Sequence, residues 1–259
     1  MPYVLRGRRV LITGGSKGLG AAIANAFARE GASIALNYVA DARAAQDFAV
    51  DLTKRHGIKA VAIQAVGDVV DICSDTDIER LVATATVELG GIDVVIANAA
   101  WTEFSAFDDL RALSDEKWNK CWSANVMSSL RLFREAQPHL TATPEGGVYL
   151  YTASTAGVSV SGSSMAYSVT KAAGLQLVKC LAQTDGRIRT NAVLPGLLLT
   201  EWGKRYSPEF VQKWQADNPL QRVPEPEECA DIFVALAKNL SMTGQQIPIE
   251  CGWLLTHSH

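Results

Sequence analysis

The sequence has no long apolar run, no surplus of positive charge and no cysteine framework, and each absence removes a class of function. The opening stretch MPYVLRGRRVLITGG sets arginines before apolar residues, but the run is only Val10 to Ile12 before glycines interrupt it. A secretory leader needs a longer apolar core, and a membrane helix needs about 20 apolar residues. The expectation is a cytoplasmic chain that does not enter a membrane. Across 259 residues, 24 Lys and Arg stand against 27 Asp and Glu, a formal charge of −3, and the basic residues are scattered. Nucleic-acid binding would require them gathered on one face. The cysteines, Cys73, Cys121, Cys180, Cys229 and Cys251, are odd in number and far apart, with no Cys-x-x-Cys pair. They read as buried thiols in a reducing compartment. His56, His139, His257 and His259 cluster neither with them nor with each other, so no metal site is expected.

Also missing are a linker rich in Pro, Gly or Ser, a low-complexity segment and an internal repeat, so residues 1–259 are expected to form a single domain. What is present is an alternation. The short apolar runs RRVLIT, SIALN, AVAIQA, DVVIA, GVYLYT, RIRTNAVL and QQIPI read as strands. Between them, Leu19, Ile23, Ala26 and Phe27 recur at helical spacing, as do Ala45, Phe48, Ala49 and Leu52. Further helices are expected over Ile78 to Leu89, Asp115 to Gln137, Tyr167 to Ala182 and Glu227 to Leu240. Ser114, followed by Asp115 and Glu116, suits a helix start, because a side-chain oxygen can cap it and acids suit its positive end. Apolar strands separated by helices indicate a Rossmann-type α/β fold, a doubly wound parallel sheet covered on both faces.

Two motifs carry chemistry. LITGGSKGLGAAIA places Gly14, Gly18 and Gly20 between the first strand and the first helix. In a doubly wound fold this turn faces the ligand crevice, where helix amides attract a pyrophosphate and glycine lets the backbone come close. A glycine-rich turn without a ligand is the plainer alternative. AYSVTKAAG puts Tyr167 and Lys171 one helical turn apart, where they read either as chemistry or as a solvated pair.

TGGSKGLG from Thr13, YSVTK from Tyr167 and NAVLPG ending at Gly196, in this order, resemble the short-chain dehydrogenase/reductase family over about Arg8 to Trp253. The resemblance implies a hydride-transferring oxidoreductase in which Tyr167 is the general acid/base, Lys171 its partner, Ser154 the carbonyl-positioning hydroxyl and Asn125 the fourth member. Reducing a carbonyl leaves negative charge on oxygen, which needs a donor and then a proton. Free tyrosine, with a pKa of about 10, is poorly matched to neutral pH. An ammonium about 4 Å from the phenolate is worth at most roughly 4 kcal/mol at a dielectric of about 20.

The same resemblance implies a cofactor site. Gly14, Ser16, Lys17, Gly18, Leu19 and Gly20 would contact the cofactor, and Asp68 and Val69 would border the adenine. Asn98, Ala99 and Ala100 would line the cofactor, with Pro195, Gly196, Leu198 and Thr200 near its carboxamide and pyrophosphate. An NAD site usually carries an acid at the end of the second strand, where this chain has Asn37 and Tyr38, with Asp41 a few residues late. Lys17 stands where members preferring NADP often place a basic residue. NADP(H) is therefore expected over NAD(H).

Thr200 to Arg222, within a wider lid of about 197–222, lies where the family builds a mobile substrate cover. Trp202, Tyr206, Phe210 and Trp214 there, with Trp101, suggest a bulky or aromatic carbonyl or alcohol substrate, or else aromatics that pack the lid onto the body. Departures from the family pattern are Ala97 and Ala100, Thr190, Cys251 and a slightly short stretch between Lys171 and Ile188. That stretch includes a helix many relatives use to form tetramers, and a homo-oligomer, dimer or tetramer, is expected. The alternatives are a reductase of C=C or C=N bonds and a non-catalytic NADP(H)-binding sensor.

Overall fold

A computed structural model of the chain describes residues 3–64 and 75–257. Asp68, Val69 and Cys73 lie outside the described residues. The strands are β1 (Arg9–Ile12), β2 (Ser33–Tyr38), β3 (Ala60–Gln64), β4 (Val94–Ala97), β5 (Gly147–Thr152), β6 (Ile188–Pro195) and β7 (Gln246–Ile249). They form one parallel sheet in the order β3-β2-β1-β4-β5-β6-β7. The helices are α1 (Gly18–Arg29), α2 (Ala42–His56), α3 (Asp75–Leu89), α4 (Asp115–Trp122), α5 (Ser128–Ala142), α6 (Met165–Leu181), α7 (Pro208–Asp217), α8 (Pro226–Lys238) and α9 (Trp253–His257).

The strand alternation sorts the core into two layers, because successive side chains point to opposite faces. Val10, Ile12, Ile34, Leu36, Val148 and Leu150 face α1, α2 and α8. Leu11, Ala35, Val95, Tyr149 and Tyr151 face α3, α5 and α6. Both faces are buried, which is why β4 and β5 read as continuous apolar runs. Chain order reverses between β1 and β4, and that switch point opens a crevice beyond the carboxyl ends of the strands.

The long helix expected over Asp115 to Gln137 is interrupted. A π turn, Ser123–Met127, separates α4 from α5, and α5 runs on through Pro138 to Ala142. Asn125, at the centre of that turn, makes side-chain hydrogen bonds to Trp101 and Thr170, and these tertiary anchors are satisfied by the wider turn. Two helices were not among those expected, α7 in the lid and α9 in the tail. Cys121, Cys229 and Cys251 are buried, but Cys180 is exposed on α6, against the expectation of buried thiols.

Candidate active site

The glycine loop follows β1. Gly14 and Gly18 have φ of +61° and +54°, the left-handed region that favours glycine. A Cβ on Gly20 would stand 2.1 Å from the Gly14 carbonyl oxygen, so loop and helix approach as closely as backbone allows. Lys17, the residue before α1, makes no side-chain cap hydrogen bond, and the first turn holds no acid. The amides at that end thus keep their capacity for an anion, and these residues fit a pyrophosphate.

Side chains beneath the loop hold it in place. Thr13 Oγ1 accepts hydrogen bonds from the Asn98 and Ala99 amides, both at 3.0 Å. Asn98 Nδ2 donates to the Thr13 and Gly14 carbonyls at 3.0 and 3.2 Å, and its Oδ1 accepts from Thr152 at 3.2 Å. Asn98 ties β1, β4 and β5 together below the crevice. Asn37 is fully buried and accepts from the Gly14 amide at 3.3 Å, while Tyr38 is buried in the core. Asp41 caps α2 by accepting from the Ala44 amide at 3.0 Å. The end of β2 therefore braces the loop, and its one nearby acid is occupied by a helix start. Lys17 is three-quarters exposed and pairs at 3.0 Å with Glu201, beyond Thr200. The Thr200 side chain lies 3.4 Å from the place a Cβ on Gly18 would take.

Four side chains converge past the end of β5. Ser154 precedes a tight turn, Thr155–Gly157, and accepts from the Ala156 amide at 3.2 Å. Gly157 lets that turn lie against α6, since a Cβ there would meet the Lys171 carbonyl carbon at 2.9 Å. Ser168 Oγ donates to the Ala156 carbonyl at 2.7 Å, pinning the same two elements. Ser164 caps α6 by accepting from the Tyr167 amide at 3.2 Å. One turn on, Lys171 is buried, donates to the Thr152 carbonyl at 2.8 Å, and lies 5.5 Å from the centre of the Tyr167 ring. Asn125 accepts from the Trp101 amide at 2.8 Å and donates to the Trp101 carbonyl at 3.0 Å and to Thr170 Oγ1 at 2.9 Å. Thr170 in turn donates to the Tyr167 carbonyl at 2.9 Å, so the π turn is fastened to α6.

Burial governs the ionisation of this group. It pushes the half-buried Tyr167 phenol well above its ordinary value, and the Ser154 side chain, in hydrogen-bonding reach, pulls it partly back. The same burial pushes the Lys171 ammonium down to about 7. In the protein alone, desolvation outweighs the stabilisation that charge pairing between the two would give.

The lid aromatics divide into two sets. Trp214 stacks on Trp253 at 6.2 Å within a buried cluster with Leu197, Val223 and Cys251, and so docks the lid on the body. Trp202 lies over Tyr167 with ring centres 5.8 Å apart. Tyr206 meets Phe104 edge-on at 5.0 Å and stacks on Phe210 at 4.6 Å. Trp101 packs beside Cys121, Ala166 and Tyr167. An aromatic wall thus faces Tyr167.

Thr13, Thr152, Thr170, Tyr151 and Phe104 join the site with no role having been read for them in the sequence. The threonines lie in or next to the stretches that signalled Gly14, Ser154 and Lys171, and that proximity was the one cue available. Among the described residues, no helix is long and apolar enough to cross a membrane.

Comparison with known proteins agrees with this architecture. A family profile described as enoyl-(acyl carrier protein) reductase matches residues 14–254. The chain is 32% identical over 248 residues to a hydroxynaphthalene reductase of Aspergillus fumigatus, covering 90% of this chain and 86% of that one. Among solved structures, an NADPH-dependent 3-quinuclidinone reductase from Rhodotorula rubra superposes with a TM-score of 0.87 at 27% identity, covering 97% of this chain and 93% of that one. A short-chain dehydrogenase from Burkholderia cenocepacia in complex with NADP also gives 0.87, at 26% identity, covering 97% of this chain and 99% of that one. Crevice, glycine loop, Tyr167–Lys171 turn and these matches together assign the chain to the oxidoreductases of the short-chain dehydrogenase/reductase family.

Proposed function

We propose that the chain is an NADP(H)-dependent reductase of ketones, or in reverse a dehydrogenase of alcohols. The observation that carries this reading is the convergence of Ser154, Tyr167 and Lys171 at the carboxyl end of β5, with Asn125 fastened to the same helix. When bound, the nicotinamide supplies or takes the hydride. Ser154 donates to the substrate carbonyl oxygen, and Tyr167 delivers the proton as negative charge develops there. Lys171 regains its charge beside an anionic dinucleotide and stabilises the phenolate left behind. Asn125 holds the Trp101 peptide and α6 in register.

The cofactor would lie along Gly14, Ser16, Lys17, Gly18, Leu19 and Gly20, with Ala99, Ala100, Pro195, Gly196, Leu198 and Thr200 lining the nicotinamide half. Asn37, Tyr38 and Asn98 would act from beneath. Lys17 would meet the 2′-phosphate, and the NADP named with the Burkholderia neighbour supports that preference. The aromatic wall of Trp101, Phe104, Trp202 and Tyr206 favours a bulky or aromatic carbonyl, in keeping with the name of the Aspergillus relative. We further infer a single-domain, cytoplasmic homo-oligomer, which light scattering and cell fractionation test.

The description of the matched profile favours a second reading, reduction of a C=C bond. NADPH oxidation at 340 nm across aliphatic, aromatic and polycyclic ketones, conjugated enones and imines separates the two. Ketone turnover, fastest with aromatic substrates, is the expected result. Turnover of enones or imines alone would replace the reading, and tight binding of NADPH without turnover of any of them would make the chain a sensor.

A further inference from the structure

Tyr151 sits beneath the site and no motif marks it. It is buried in β5, three residues before Ser154. Its hydroxyl donates to the Asn125 backbone carbonyl at 3.0 Å. Its ring centre lies 5.0 Å from Lys171 Nζ, which puts the ammonium within the range of a cation–π contact. A π turn interrupts the regular helix ladder and leaves carbonyl capacity for side chains, and here a phenol uses it.

The helix beside the ring is shaped to admit it. A Cβ on Gly174 would stand 2.4 Å from the Tyr151 hydroxyl oxygen and 2.7 Å from two ring carbons. Gly174 is in the interior of α6, where glycine is unfavourable to the helix. Its presence one turn past Lys171 is explained by the phenol it accommodates.

We propose that Tyr151 is a positioning residue: one rigid side chain carries the Lys171 ammonium on its face and fastens the Asn125 carbonyl with its hydroxyl. This rests on the reductase reading above. A phenol that only filled space would touch the same neighbours but would not influence proton transfer at Tyr167.

Three variants test it, each checked for folding by circular dichroism and for NADPH affinity by fluorescence. Tyr151→Phe keeps ring and volume and removes the one hydroxyl. It is expected to lower kcat about tenfold while the NADPH Kd stays within about twofold. Tyr151→Leu also removes the π face, so Lys171 is less readily charged and the Tyr167 phenolate less stabilised. The pH midpoint for alcohol oxidation should then move up by half a unit or more, and the 15N resonance of Lys171 in the cofactor-free protein should titrate at lower pH. Gly174→Ala presses a methyl group against the phenol and should reproduce the kcat loss of Tyr151→Phe. Wild-type kcat and pH profile in folded Tyr151→Phe overturn the proposal, and they do so even if Tyr151→Leu does not fold. A wild-type chain that turns over no ketone, or a Tyr167→Phe variant that keeps full turnover, would overturn the reductase reading instead, while the Lys171 titration would still report on Tyr151.

Discussion

Thr190 is fully buried in β6, and its hydroxyl finds no hydrogen-bond partner among the described residues. A buried, unsatisfied hydroxyl costs about 1 kcal/mol or more, and valine has nearly the same shape. Thr190→Val is expected to raise stability by about 1 kcal/mol, and Tm in a thermal melt by about 2–4 °C. Lys171 is the larger burden. Its ammonium titrates near 10.5 in an unfolded chain and at about 7 when folded, so between those values the unfolded state binds more protons and stability rises with pH. The cost is full below pH 7, on the order of a few kcal/mol, and is relieved as pH approaches 10.5. Lys171→Met should therefore raise the Tm of the cofactor-free protein at pH 6, with the gain shrinking toward pH 10. A gain that does not change with pH would show that the lysine is not buried in the way described. At this scale the motifs were legible because they are local: the glycines share one turn and Tyr167 and Lys171 stand one helical turn apart, while the roles read for them came from the resemblance. Tyr151 and the bracing role of Thr13 were not legible, because their partners are 26 and 83 or more positions away in the chain.

The π turn and the lid are elements whose form comes from tertiary contacts. Apolar periodicity through residues 115–137 reads as one helix, since nothing in it records that Asn125 must reach both polar groups of the Trp101 peptide. The lid's aromatics stand four residues apart, yet they answer to two masters, Trp214 to the body and Trp202 and Tyr206 to the crevice. Cys251 has φ +60°, a left-handed conformation at the position where the family often has glycine. The loop after β6 also carries Glu201, which pairs with Lys17 across the mouth of the cofactor site. Both side chains are exposed, so this pair is weakly held, and under the proposed NADP(H) preference a phosphate would replace the carboxylate. Lys17→Ala should weaken NADPH binding about tenfold, equivalent to ~1.4 kcal/mol, and change NADH binding less than twofold. Equal losses for the two cofactors would exclude Lys17 as the source of preference. Glu201→Gln should tighten NADPH modestly in the same fluorescence titration.

The sheet explains why so much of the whole molecule could be read in advance. Each strand is short, β-branched or apolar, and most are followed by a helical period, so the doubly wound order follows from the alternation together with right-handed crossovers. The position of the site follows as well, because the order reverses between β1 and β4 and the glycine loop and Ser154 lie at the carboxyl ends of β1 and β5, on either side of β4. The substrate was not legible, since the wall that would select it is assembled from Trp101, Phe104, Trp202 and Tyr206, which come from separate loops. The central claim is that this crevice performs proton-coupled hydride transfer with Tyr167 as the acid. It is tested most directly by comparing the wild type with Tyr167→Phe in NADPH-dependent reduction of an aromatic ketone, with NADPH affinity measured alongside. The account predicts a loss of kcat of about 10²-fold or more with NADPH affinity unchanged. Undiminished turnover in the phenylalanine variant would contradict it.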